Sequence, residues 1–401
     1  MSAQPWNDWI PGVLSVRQVR QLCRDEYLRG SNERSIGQSS IDLHLSDQAY
    51  ELTGGSIKPD GQDRYLLGIR EAGLVKRLSP DEDGSFTLEP KRTYLFKTQE
   101  TLHASAFANS TIYGQATAKS SVGRLDVLAR LIVDGMDGYE GFSPFHAGKG
   151  NGDMFLEITP ITFRVKVKKG VPISQLRFFC GRPEDVEVRG ADVYRTLLKD
   201  ASREDGTLSV DLSDVEVGGV PVAAFRADVN SENPHDPIPL WVTSNLPDPC
   251  AYWKFERADS HKRLKIAKGA FYILRSKEKI AVPRGIAVYC RAIDETIGEI
   301  RIHYAGFVHP FFGRDKDSGR LNTPLIFEVR GHDIDVNLRD GEKLARLAFY
   351  RMSEDAEYNP DEPQDYNDQR LKLSKFFAAW PSRLNLHPDT HTVSPAIDPT
   401  R

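Results

Sequence analysis

Two stretches of the chain lie 171 positions apart and carry one pattern, which narrows the possible folds more than any other feature. Residues 155–180 read FLEITPITFRVKVKKGVPISQLRFFC, and residues 326–350 read IFEVRGHDIDVNLRDGEKLARLAFY. Glu157 matches Glu328, Gly170 matches Gly341, and Leu176 and Phe178 match Leu347 and Phe349, all at an offset of 171. Upstream, KSSVGRL at Lys119–Leu125 matches DETIGEI at Asp294–Ile300, with Gly123 and Gly298 offset by 175. The two offsets differ by 175 − 171 = 4, a change in loop length between the blocks. Chance apolar periodicity does not readily put two glycines and a glutamate in register, so the chain reads as one unit used twice. Its 401 residues are about right for two domains.

The local patterns predict mostly short strands. Ser40–Leu45 (SIDLHL) alternates with period 2, and similar pieces follow at 94–97, 111–113, 155–158, 163–167 and 176–180, separated by Gly, Pro, Asp and Asn turns. Strands at this spacing indicate a β-sandwich or barrel. Ser15–Gly30 reads as an amphipathic helix: Ser15 and Gln18 have capping-box spacing, Val16, Val19, Leu22 and Cys23 share a face, and Gly30 is a stop. A second helix is expected over Ala191–Ala201 and a loop over Glu232–Asp248. We divide the chain into a catalytic domain with the N-terminal helix (1–190), a degenerate second repeat (191–355) and a tail (356–401) that is a candidate lid. The final HPDTHTVSPAIDPTR is expected to be mobile.

Charge narrows the partners. The formal net charge is −4, with no long basic block, which argues against a protein of bulk DNA or an anionic membrane. Cys23, Cys180, Cys250 and Cys290 form no CxxC pair, so neither a disulfide framework nor a zinc-ribbon spacing is present. MSAQPWNDWIPG has no cationic region leading into an apolar run, and no stretch approaches the ~18 apolar residues of a membrane span. We expect a cytoplasmic protein.

The two copies differ in charge. Lys119, Ser120, Ser121 and Arg124 become Asp294, Glu295, Thr296 and Glu299. Hydroxyls beside Lys and Arg suit a phosphate, whereas three acids repel one. A polyphosphate therefore belongs with the first copy, although such a run also reads as a polar turn with Arg124 in a surface ion pair. Leu131–Gly141 (LIVDGMDGYEG) gathers Asp134, Asp137 and Glu140 around glycines, either as a hairpin that takes a base or sugar or as a solvated acidic turn. Glu157 interrupts the apolar strand MFLEITP. A carboxyl buried there would have a raised pKa, as a general base needs, unless it faces water or pairs with an Arg. Glu328, kept in the anion-hostile copy, reads as structural or as a remnant.

Together these blocks resemble the dCTP deaminase branch of the dUTPase-like superfamily. GQSSIDLHL (Gly37–Leu45) resembles that family's early strand, KSSVGRL its Arg-Ser-Ser…Arg motif and DGYEG (Asp137–Gly141) its hairpin turn, one residue shorter. FLEI resembles the strand of its catalytic Glu, and GVPISQLRF (Gly170–Phe178) its closing strand. The length is similar to a long, two-repeat bacterial form. The resemblance implies a mainly β chain of two tandem dUTPase-like distorted jelly-roll or β-barrel domains with a few short helices. It also implies hydrolysis of dCTP to dUTP and ammonia without zinc, supplying dUTP for thymidylate synthesis. Agreeing with this, the sequence lacks the H-x-E and P-C-x-x-C of zinc deaminases.

On the family pattern Glu157 would be the general base and proton shuttle, with Ser120 and Arg124 placing water and polarising the reacting group. Main chain near Leu131 and Val133 would hold the base. Lys119, Ser121 and the nearby amides would face the triphosphate, whose oxygens Mg²⁺ would bridge, and Gln175, matching a recurrent Gln of the family's closing strand, is a further substrate-binding candidate. Tyr366, Gln369, Lys372 and Ser374 resemble the family's closing tail only loosely. A homo-oligomer with sites shared between repeats or subunits is implied. Lys119 stands where the family has Arg, Pro160 follows Glu157 where it often has Asn, and GFSPFHAGKG is inserted before Glu157. Three alternatives stay open: a dUTP pyrophosphatase with Asp137 as base, a bifunctional enzyme using both Asp137 and Glu157, and a non-catalytic nucleotide-binding regulator.

Overall fold

The computed structural model describes residues 4–108, 110–199, 204–229, 235–293, 300–302, 306–314, 323–358 and 370–396. The N-terminal helix forms over Val16–Arg24, and the Ser15/Gln18 capping box closes it reciprocally. Val19 and Leu22 are buried against the first sheet. The helix ends at Asp25, short of Gly30, because Leu28–Arg29 already pairs as a strand with Tyr94–Leu102.

Both halves of the chain lay down their strands in one order. In the first the path is Val127–Val133, Asp153–Pro160, Tyr94–Leu102, Ile41–Leu52, Pro172–Cys180, Ile112–Ala118, Gly141–Phe142. In the second it is Ile300–Ile302, Thr323–Gly331, Phe271–Ile280, Thr207–Asp211, Lys343–Arg351, Ile286–Ala292, Phe307–Val308. Alternation explains which residues point inward: Leu156 and Ile158 enter the main core of the first half, while Phe155 faces a separate cluster outside it. A short helix, Tyr65–Glu71, covers that outer cluster with Tyr65 and Ile69. Sequence periodicity does not predict this helix, because Tyr65, Leu66 and Ile69 in seven residues give little periodic signal.

The halves pack through their sheets. Phe179 and Tyr350, equivalent at the 171 offset (350 − 179), meet edge-to-face with centroids 5.3 Å apart. Around them Val13, Val186, Ala287, Ala348 and Met352 close an apolar seam. Burying a large apolar side chain contributes about 1.5–3 kcal/mol, so a seam of this kind resists opening.

Three expectations need correction. The helix near 191 covers Ala191–Leu197 and passes straight into a strand at Leu198–Lys199, which pairs with Phe271–Ile280. The loop expected over 232–248 contains Ile238–Pro239, a short strand parallel to Val165–Lys168. Of the stretch expected to be mobile, residues 397–401 lie outside the described residues, and 387–396 are ordered: Thr392–Pro395 pairs as a hairpin with Leu384–His387. Buried Leu384 and Val393 anchor it, and the His391 carbonyl accepts from the Phe255 amide at 2.9 Å. Two isolated apolar anchors in a polar segment do not announce a hairpin. Among the described residues no helix is long and apolar enough to cross a membrane.

Candidate active site

The motif Lys119–Leu125 sits between a strand of the first half and the face of a strand in the second. Ile112–Ala118 ends at Lys119, whose amide bonds the Ile173 carbonyl at 3.0 Å, and Ser120–Gly123 then makes a single helical turn. That turn swings Arg124 inward, where it is buried.

Arg124 faces Glu328. Its Nε lies 3.7 Å from Glu328 Oε1, and Nη1 donates to the Lys372 carbonyl at 3.0 Å and the Leu373 carbonyl at 3.5 Å. Two residues along the strand of Glu328, and two along the turn that follows the motif's helix, the contact repeats: Arg330 Nε donates to Asp126 Oδ2 at 3.1 Å, beside Thr162. Arg124 of the motif and Asp126 just beyond it are thus gripped by Glu328 and Arg330, which share one face of Thr323–Gly331 by pleat alternation. Ser120 adjoins the second half as well, since a Cβ built on Gly306 would lie 3.9 Å from its Oγ. Glu328 is buried, and desolvation raises its pKa to about 7, against the pull of the Arg124 charge.

The tail completes this arrangement from the same chain. Ser374 Oγ donates to the Ser121 carbonyl at 2.6 Å. Leu371, Leu373, Phe376 and Phe377 are buried in the main core, and Phe377 packs between Phe163, Tyr252 and Trp253. Of the tail residues read from the sequence, Lys372 and Ser374 therefore touch the motif, while Tyr366 and Gln369 lie outside the described residues, as do Asp294–Glu299.

Glu157 has different company. It stands opposite Arg130 across the ladder and ion-pairs with it. Its Oε2 also accepts from the Ile57 amide at 3.1 Å and the Tyr139 hydroxyl at 3.3 Å. Arg130 in turn lies 4.2 Å from the Tyr139 ring centroid and donates to Ser56 at 2.6 Å. The expected grouping of Glu157 with Ser120 and Arg124 does not form within the chain; Glu328 takes that position. Glu157→Gln is accordingly expected to lower stability by about 1–3 kcal/mol in denaturant titration, because it leaves Arg130 without its counter-charge. Unchanged stability would argue against this structural role.

The remaining residues divide similarly. Lys119 is held by Asp42 through both carboxylate oxygens, so its charge is partly answered inside the chain. Ser121 is buried, whereas Ser120 is only partly so. Leu131 and Val133 point into the core, and the Leu131 carbonyl accepts from Glu140 in its own hairpin at 2.8 Å. At the 175 offset Leu131 corresponds to Gly306, the residue that does adjoin Ser120. Asp137 is exposed on the hairpin. Gln175 is buried and bonded to His309 and Ser40. His309 and Gly306 were not singled out from the sequence, since neither belongs to a recognisable spacing. Among the described residues no group of three or more His, Cys, Asp or Glu side chains is placed to hold a metal ion.

Comparison with known proteins bears on this geometry. The sequence profile of the 2'-deoxycytidine 5'-triphosphate deaminase N-terminal domain matches residues 10–182, and that of the C-terminal domain matches residues 186–377. The chain belongs to the dCTP deaminase family. Among solved structures it is similar to 2'-deoxycytidine 5'-triphosphate deaminase from Agrobacterium tumefaciens, with a TM-score of 0.74 and 25% sequence identity. That likeness covers 86% of this chain and 99% of the other. A comparison with curated proteins finds no match. The common strand order of the two halves is the tandem jelly-roll architecture of the long deaminase form, as the resemblance implied.

Proposed function

We propose that the chain hydrolyses dCTP to dUTP and ammonia, at a site built from the first half's Ser120 and Arg124 and the second half's Glu328. The supporting observation is the buried Arg124–Glu328 contact, closed over by the Lys372 and Leu373 carbonyls. Glu328 accepts a proton from water, and the resulting hydroxide forms a bond to cytosine C4. The C4–N3 π electrons move to N3, which takes up that proton. The second proton of the water passes through Glu328 to the amino group, the C4–N bond breaks, and ammonia leaves as C4=O forms. A base whose pKa lies near 7 is well matched to both steps at neutral pH. Arg124 and Ser120 orient the water and the reacting ring.

We propose further that Mg²⁺ arrives with the triphosphate and that no zinc takes part, consistent with the missing zinc-deaminase motifs. The test is incubation with dCTP, dUTP and dCMP followed by chromatography and ammonia assay. dUTP and ammonia from dCTP are expected. dUMP from dUTP, without ammonia from dCTP, would replace this reading by a pyrophosphatase with Asp137 as base. Nucleotide binding without turnover would make the chain a regulator.

A further inference from the structure

A chain of four side chains crosses from the buried seam to the cationic motif at Lys119–Leu125. Gln175 stands opposite Thr117 on one neighbouring strand and Asp42 on the other, so all three share a sheet face, and Asp42 carries Lys119. Arg177, two residues on and on that same face, is fully buried. Among the described residues it donates to neutral groups: the Val288 carbonyl at 2.9 Å, the Ser39 carbonyl at 3.3 Å, the Val308 carbonyl at 3.5 Å, and Ser39 Oγ at 3.0 Å. The Phe307 ring lies 4.0 Å from its guanidinium carbon.

The bond directions follow from Gln175 Oε1, which can only accept, and from the neutral His309 ring, which carries one proton. With that proton on Nε2, 3.3 Å from Gln175 Oε1, Nδ1 is an acceptor. Ser39 Oγ, which accepts from Arg177, donates its own proton to Nδ1 at 2.9 Å. Ser40 Oγ donates to the same oxygen at 3.2 Å. Burial, with help from Arg177 and Lys119, lowers the His309 pKa to about 3, so the ring stays neutral and this bonding pattern does not change with physiological pH. With Oε1 occupied twice, only the NH₂ end of Gln175 is left to donate to a ligand.

We propose that His309 is a positioning residue for polyphosphate: through Ser39 and Arg177 it locks the Gln175 amide so that its NH₂ group donates to phosphate oxygens beside Lys119. This rests on the reading that the motif holds dCTP. It adds a specificity element supplied by the second half, since a nucleotide with fewer phosphates would gain less from a Gln175 fixed in this way.

The experiment compares the full chain with His309→Ala, His309→Gln, Gln175→Ala and the His309→Ala/Gln175→Ala pair. KM and kcat for dCTP and dCMP are measured, and the affinity for inorganic triphosphate is measured by calorimetry. His309→Ala is expected to raise the dCTP KM and weaken inorganic triphosphate about tenfold, the scale of one charge-assisted hydrogen bond. Its kcat and its dCMP constants should stay near those of the parent. His309→Gln should recover most of the loss, and the pair should be no worse than Gln175→Ala alone. Equal losses for dCTP and dCMP, additive losses in the pair, or unchanged triphosphate affinity would each overturn the proposal. If the parent chain releases no ammonia from dCTP, the deaminase reading fails, and the triphosphate affinities still decide the role of His309.

Discussion

Glu328→Gln is expected to reduce ammonia release from dCTP by about a thousandfold, the usual scale for a general base, with nucleotide affinity largely kept. Glutamine keeps the size and hydrogen-bonding reach of the side chain but cannot take a proton from water. Glu157→Gln should retain activity, because Glu157 is engaged with Arg130, Tyr139 and the Ile57 amide. Loss of turnover in Glu157→Gln and its survival in Glu328→Gln would invert the assignment. The pH dependence should agree. A required carboxylate with pKa raised to about 7 makes kcat/KM climb as pH rises through 7. Stability should move the other way. The folded state keeps its proton above the unfolded pKa of 4.5, so between about 4.5 and 7 the native state binds more protons than the unfolded. This group's contribution to stability therefore falls as pH rises across that window. Glu328→Gln should flatten that slope in denaturant titrations at pH 5 and pH 8.

Arg124→Lys is expected to cost at least about a hundredfold in kcat/KM, despite keeping the charge. The guanidinium serves Glu328 with one nitrogen while another serves two tail carbonyls, and a single ammonium cannot match that fork. The same change should loosen the tail, so limited proteolysis around 370–378 should quicken relative to the parent chain. Full activity with an unaltered cleavage pattern would show that Arg124 neither orients the reaction nor holds the tail.

The sequence showed which positions are equivalent but not which of them touch. Strand-rich halves and the capping box at Ser15/Gln18 were legible, because each depends on local alternation or spacing. The partner of Arg124 was not. Equivalence at a fixed offset aligns Glu157 with Glu328 and is silent on which copy's glutamate packs against which copy's motif. The decisive facts lie off the alignment: Arg330 gripping Asp126, and Glu157 already engaged by Arg130 from the neighbouring strand. An arginine two strands' width from a glutamate in the linear text becomes its cross-strand neighbour only once register is fixed. The tail was similarly opaque, since Leu384, Val393 and Phe377 are separated by polar runs and gain their meaning from surfaces made elsewhere in the chain.

Arg124 and Glu328 belong to one polypeptide. Had they come from separate molecules, dilution would dismantle their encounter. A covalent tether instead holds the local concentration of one around the other constant, whatever the abundance of the protein in the cell. Each half is then free to drift wherever the other already supplies the needed group, so an acid-rich segment can accumulate in one copy while its glutamate stays packed against the other copy's arginine.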